Sequence, residues 1–218
     1  MMKFKSWVLG IGLLISNVAF SQTVQDGFRF LDRHQPSRAK QVFDGLVASA
    51  PTGENYFNLG LYYLHLRDWD NAKASFEKGK AADPKNYLNP VGLASILVGQ
   101  NNVSAAKVEF DKIIADTKSK NIDVLYRIAE AYSMYYILGK EESFNANNND
   151  PGEAIRLIDV IQERMLKDKK LPAPEHYIVK GDAFLIKNDG GNAVTAYEAA
   201  IAQDPRNVKA KVKIGTVI

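Results

Sequence analysis

Tyr56-Phe57-Asn58-Leu59-Gly60-Leu61-Tyr62-Tyr63, followed by Ala72, Phe76, Gly79 and Pro84, carries a pattern from which the rest of the chain can be laid out. Its apolar residues recur about every 3.6 residues, the period of a helix with one buried face. The step from Gly60 to Ala72 is repeated without change from Gly27 to Ala39, from Ala94 to Ala106 and from Gly181 to Ala193. One helical turn beyond each Ala comes an aromatic ring: Phe43, Phe76, Phe110 and Tyr197. Phe30, Tyr63, Leu97 and Phe184 match one another, as do Pro51, Pro84 and Pro205, with Lys118 in the place of the Pro in the third copy. Ile113 and Ala200 continue the third and fifth copies. No sustained period-two alternation occurs, so the chain reads as all-α.

The residue types at these places have physical reasons. A small residue followed at this fixed interval by Ala marks the crossing of two helices, where bulk would push the axes beyond the usual ~8–10 Å. The aromatic one turn further on fills the gap between one unit and the next. Pro ends the second helix, since it lacks a donor and disfavours helical geometry in the residue before it. Asp83-Pro84 and Asp204-Pro205 read as helix stops, with the Asp side chains as N-cap groups rather than catalytic acids.

The whole pattern resembles the tetratricopeptide repeat, a helix-turn-helix unit of ~34 residues, with Gly60 at position 8, Ala72 at 20, Phe76 at 24 and Pro84 at 32. The resemblance covers the chain from about Gln22 to Asn207 as five units, near 22–52, 53–86, 87–121, 122–170 and 174–207, with residues 208–218 starting a further helix. It implies a right-handed α-solenoid in which the first helix of each unit lines a concave groove, at positions 2, 5, 9 and 12. The groove residues implied are Phe57, Leu61 and Leu64, then Leu88, Val91 and Ser95, then Tyr126, Glu130 and Ser133, then Ile178, Asp182 and Leu185. Such a groove is largely apolar, with acids toward its C-terminal half. The Lys and Asn with which co-chaperone members clamp a terminal carboxylate are absent, so that ligand class does not carry over.

The fourth unit departs from the pattern. Leu125, Ala129 and Tyr132 mark its first helix and Ala154, Ile158 and Ile161 its second, but the interval from Tyr132 to Ala154 is more than twice that from Tyr63 to Ala72. An insertion therefore lies in the turn within this unit. The first helix is expected to extend through Met134 to Leu138 and the insertion, residues 138–150, to contain a polar loop from Asn145 to Asn149, either a plain solvated turn or a projection that contacts a partner or holds a cation through its Asn and Asp oxygens. Asp150-Pro151-Gly152-Glu153 then starts a helix, with a cap, Pro at N1 and Glu at N3. Leu166 to Glu175, with Lys167, Lys169, Lys170, Pro172 and Pro174, is expected to break helicity.

With 218 residues, 46% of them hydrophobic and 24% charged, the chain can bury a large core without a metal or disulfide staple. Absence of Cys excludes thiol nucleophiles, thiolate zinc sites and a lipid-modified N-terminal cysteine. Residues 1–21 read as an export signal: Lys3 and Lys5, an uncharged stretch from Trp7 to Phe20, and Ala19-Phe20-Ser21 with small residues where a signal peptidase cuts. That stretch falls short of the ~20 residues that a spanning helix needs. Cleavage after Ser21 starts the mature chain at Gln22 and lowers the formal charge from +3 to +1, because two Lys and no acids leave. A nearly neutral protein is not a nucleic-acid binder by default. The expected place is the periplasm or envelope of a Gram-negative bacterium.

Catalytic patterns are missing. His34, His65 and His176 stand singly, without the i+4 spacing of a zinc hydrolase. Gly190-Gly191 lacks the Lys-Ser/Thr of a phosphate loop and reads as a turn. The chain is therefore expected to be a non-catalytic scaffold, without cofactor or metal, that holds a partner's peptide or helix in its groove. Two rivals are the repeat-bearing front end of a longer exported protein and a carbohydrate-capturing helical-repeat protein; the second lacks a groove Trp, since Trp69 reads as a packing residue at a turn. Gly215 falls at position 8 of a sixth unit, so 208–218 is either a cap or a first helix with Ile214, Val217 and Ile218 unpaired.

Overall fold

The computed structural model describes residues 22–133 and 150–217. Among these residues there are eleven α-helices and no strand: α1 Val24–Asp32, α2 Pro36–Ser49, α3 Gly53–His65, α4 Trp69–Ala82, α5 Leu88–Gly99, α6 Val103–Asp116, α7 Ile122–Tyr132, α8 Pro151–Lys167, α9 Pro174–Ile186, α10 Gly190–Gln203 and α11 Val208–Val217. Odd and even helices pair in order, and each odd helix from α3 to α9 also packs on the odd helix before it, which is the stacking of a solenoid. The export signal 1–21, the extension through Leu138 and nearly all of the 138–150 insertion lie outside the described residues.

The expected register holds. Ala39, Ala72, Ala106, Ala154 and Ala193 are each fully buried. The Gly positions prove tighter than anticipated: a Cβ at Gly27 would stand 2.6 Å from the Phe43 ring, at Gly60 2.3 Å from Phe76 and at Gly181 2.4 Å from Tyr197, so even a methyl group is excluded. Phe76 lies equally close to Gly92 of the next unit, 2.4 Å from its would-be Cβ. One ring thus fills the helix crossing within its unit and the gap to the next. The main core runs without a break from Phe57 to Ala183, with smaller clusters around Phe43 and around Tyr197.

The turns inside the units share a feature that composition does not announce. His34, Arg67, Asn101 and Asn188, which hold the same place in their units, adopt positive φ of 54°, 58°, 61° and 58°. Each lets the next N–H reach back to the end of the first helix: Gln35 to Phe30 O, Asp68 to Tyr63 O, Asn102 to Leu97 O and Asp189 to Phe184 O, at 2.8–3.0 Å. Asp68, Asn102 and Asp189 then cap the second helix through their side chains.

Between units the capping differs from expectation. Asp83 and Asp204 end α4 and α10, but their carboxylates accept from the N–H groups of Lys85 and Arg206 within the turn. Asn86 and Asn207 accept from the N–H groups of Leu88 and Ala210 and serve the following helices. Asp150 does cap α8, accepting from Glu153 N at 2.9 Å with Pro151 at N1. The break expected over Leu166 to Glu175 is shorter, because α8 continues to Lys167 and Pro174 opens α9 as its first residue.

Candidate functional site

The odd helices share one face, and two cavities open on it. The first, about 20 Å³, is bordered by Phe57, Leu61, Leu64, Val91, Ser95, Arg127, Glu130 and Ala131, all from α3, α5 and α7. The second, about 350 Å³, is bordered by Asp32 of α1, Tyr126, Glu130 and Ser133 of the fourth unit, Glu175, Ile178, Val179 and Asp182 of α9, and Asn207, Val208 and Lys209 at the start of α11. The end of the first helix and the beginning of the last therefore meet across this face.

The open apolar groove expected from the sequence is corrected here. Phe57, Leu64, Val91, Ser95 and Ile178 are at most 4% exposed, closed into the core by the helices on either side. Leu61, Leu88 and Tyr126 are half-buried against the same core, and Leu88 borders neither cavity. What closes the groove is Arg127, a residue that the repeat ruler does not single out. Its guanidinium lies 5.4 Å from the Phe57 ring centre and 5.3 Å from that of Tyr126. Its NH1 donates to Glu130 Oε2 at 2.7 Å, and the Tyr126 hydroxyl donates to Glu130 Oε1 at 3.2 Å. A planar cation stacked on two rings and tied to a carboxylate is a stable arrangement. It fills the middle of the face that the pattern leaves apolar.

Burial, and then the Glu130 charge, hold the Tyr126 hydroxyl well above its ordinary pKa, so it stays a donor. The His176 ring lies tilted against Tyr126 with ring centres 5.3 Å apart, and burial pushes its pKa down, so the imidazole resists protonation. Toward the last unit, Asp182 is 7% exposed and accepts from the Tyr197 hydroxyl at 2.6 Å, while Lys213 of α11 pairs with it at 2.7 Å. Asp182 is thus a tether for the last helix as well as a wall of the cavity. Asp32 and Glu175 make no hydrogen bond or ion pair among the described residues.

On the opposite side, between α4 and α6, a cleft of about 700 Å³ runs over α5 past Trp69, Tyr87, Leu93 and Leu97. Its rim alternates Lys and acid along both helices and brings no set of reactive groups together. Trp69 packs on the end of the next unit's first helix, its ring 2.7 Å from a would-be Cβ at Gly99, rather than within its own turn. Among the described residues no group of three or more His, Asp or Glu is arranged to hold a metal ion.

Residues 53–86, the helices α3 and α4 with their turns, match the family profile described as tetratricopeptide repeat. That segment is a tetratricopeptide repeat. Over 81 residues, 37% of its length, the chain is 31% identical to Tetratricopeptide repeat protein 1 of Schizosaccharomyces pombe, and the matched part is 8% of that protein. Three crystal structures share the fold. A tetratricopeptide repeat protein from Parabacteroides merdae superposes with a TM-score of 0.59 at 16% identity, over 89% of this chain and 69% of that one. A thermophilic tetratricopeptide-repeat protein of Thermus thermophilus gives 0.58 at 14%, over 89% and 96%. Yeast Tom70 gives 0.58 at 18%, over 89% and 38%. At these identities the likeness concerns fold alone. Tetratricopeptide repeats are protein-interaction scaffolds in general, and no helix among the described residues is long and apolar enough to cross a membrane.

Proposed function

We propose that this protein is an exported, non-catalytic scaffold that takes a segment of a partner protein on its concave face, at the 350 Å³ cavity between α7, α9 and the facing ends of α1 and α11. The observation that carries this reading is that, among the described residues, room remains on the odd-helix face at this cavity, whereas the middle is filled by Arg127. Tyr126 and Ile178 offer apolar wall. Asp32 and Glu175 bring two carboxylates against the single Lys209, so a segment with an apolar anchor and a basic side chain fits best. Export rests on the charged start, apolar stretch and small-residue cleavage site of residues 1–21.

Photo-crosslinking in living cells tests both parts. A crosslinking side chain placed at Glu175 or Val208 is expected to trap one envelope protein, whereas the same group at Lys73, on the outer cleft, traps none. Equal products from both faces would remove the cavity assignment. The processed protein is expected to begin at Gln22, and recovery of soluble cytoplasmic protein that still begins at Met1 would remove the export assignment.

A further inference from the structure

The turns that join α6 to α7 and α8 to α9 lie together on one edge of the solenoid, because Arg164, in the last turn of α8, donates from Nη1 to the Ser119 carbonyl in the first of them. Residues 117–121 and 167–173 carry five Lys and a single acid, Asp168. Lys167 pairs with Glu163, one turn back on α8, at 2.7 Å. Lys118, Lys120, Lys169 and Lys170 are exposed and make no ion pair among the described residues. Asp116, Asp123 and Glu175 stand inside the adjoining helices, and Glu175 borders the concave cavity.

Two aliphatic side chains stand out among these cations: Leu166 is 59% exposed and Leu171 71%. The backbone keeps them from folding back onto the core. Lys169 has a φ of 57°, and the N–H groups of Lys169 and Lys170 reach back to Leu166 O and Met165 O at 2.9 and 2.8 Å. Pro172, next to Leu171, is buried. In the other turn Lys118 and Ser119 have φ of 52° and 54°, and their N–H groups reach Ala115 O and Ile114 O at 2.9 and 2.8 Å. Three residues other than Gly in the left-handed region thus fix the shape of the edge.

The composition of the edge decides what it fits. Protein interfaces are depleted in Lys and centre on aromatic or Arg anchors. Neither turn holds an aromatic residue, and the neighbouring Arg164 is tied to Ser119. Leu surrounded by Lys suits a lipid surface, where the Leu side chain enters the acyl region, the Lys stems lie along it and the ammonium groups meet phosphates. We propose that this edge seats on an anionic lipid bilayer, with Leu166 and Leu171 in the acyl region and Lys118, Lys120, Lys169 and Lys170 at the lipid phosphates. The proposal does not depend on the concave-face reading, since neither turn is a wall of that cavity.

Vesicle co-sedimentation tests it, with the protein beginning at Gln22, which holds every described helix. Vesicles of phosphatidylcholine with about one third phosphatidylglycerol are expected to bind at least about tenfold more tightly than phosphatidylcholine alone at about 0.1 M salt. Lys118→Gln with Lys120→Gln, and Lys169→Gln with Lys170→Gln, are each expected to weaken binding about tenfold or more, at about fivefold per Lys. Leu166→Ser with Leu171→Ser is expected to weaken it about tenfold, whereas Lys78→Gln with Lys187→Gln, away from this edge, leaves it unchanged. The chain has no Cys, so an environment-sensitive dye on Leu171→Cys reports insertion alone, and its emission is expected to shift to the blue on the anionic vesicles. Equal binding to both vesicles, or no binding at about 1 mM lipid, overturns the proposal. So does binding unchanged by the four Lys substitutions together in a variant of native helicity. A dye that keeps its aqueous emission on bound vesicles, with Leu166→Ser and Leu171→Ser without effect, overturns it as well and leaves the edge to an acidic protein.

Discussion

Asp182 shows how one residue can be read as a ligand-facing acid and serve as a fastening. Its carboxylate sits between Tyr197 and Lys213, and the two ionised side chains are only 10% and 12% exposed. Burial raises the Asp182 pKa and lowers that of Lys213, each opposed by the other's charge. Lys213→Met is therefore expected to cost about 3–5 kcal/mol at pH 7, because it leaves a buried carboxylate without its counter-charge, while the double variant Asp182→Asn with Lys213→Met loses little or gains. With Lys213 gone the native Asp182 pKa rises further, so the native state binds the proton more readily and the penalty shrinks as pH falls. Urea titrations of both variants at pH 7 and pH 5 check this. His65 and His176 make a second prediction at this scale. Burial lowers both pKa values from the ordinary 6.5, against the opposing charge of Asp32 at the first and of Glu175 and Asp123 at the second. Lys209 and His34 also face His65 and push the same way as burial. Below pH 6.5 the unfolded chain binds protons that the folded one refuses, so their share of stability is present above 6.5 and is lost as pH falls through the native pKa values. The denaturation midpoint is expected to fall less steeply between pH 7.5 and pH 5 in His65→Gln with His176→Gln than in the parent. Equal slopes would mean that burial does not control these imidazoles.

At the scale of helices, the same substitution has opposite signs at two glycines. Gly inside a helix normally costs roughly 0.5–1 kcal/mol relative to Ala. Gly45, in α2, has nothing within 4 Å of a would-be Cβ, so Gly45→Ala is expected to stabilise by about that amount. Gly60, in α3, would place its Cβ 2.3 Å from the Phe76 ring, and Gly60→Ala is expected to destabilise by roughly 1–3 kcal/mol, as overpacking does. Thermal melts of the two single variants in one buffer decide it, and stabilisation by both would mean that the Phe76 ring can move aside. The turns explain why the paired helices meet at this spacing: in units one, two, three and five a left-handed residue and a back-reaching N–H close the first helix before the next begins.

Across the whole molecule, nearest-neighbour stacking sets the path of the solenoid, and that path brings Asp32 of α1 to the same cavity as Lys209 of α11. The chain has no Cys, so a double variant Asp32→Cys with Lys209→Cys offers two thiols and no others. A short bifunctional thiol reagent is expected to join them within one molecule, and the same reagent to fail with Lys73→Cys and Lys209→Cys. Failure of the first pair would mean that the two ends stand apart in solution, and the concave cavity would lose two of its walls. Because most packing lies between adjacent units, destabilising changes in the cores of units one and five, such as at Ala39 and Ala193, are expected to add nearly independently.

The helical class, the length of the unit, the five buried Ala residues and the need for small residues at Gly27, Gly60 and Gly181 were all legible in the chain before any coordinate. Those features repeat, and each follows from contacts between two helices one short turn apart, which local spacing encodes. Glu130 and Asp182 were legible as acids toward the C-terminal half of the inner face and border the cavity there, whereas Glu175, on the same cavity, was not. The filling of the groove at its middle was not, because Arg127 lies on Phe57 of a unit two repeats earlier and nothing near either residue in the chain specifies that meeting. The same holds for Asp182 with Lys213 and for Asp32 with Lys209. Whether a charged side chain faces solvent, a partner or its opposite depends on how five small rotations accumulate, and that sum is a property of the assembled solenoid rather than of any one repeat.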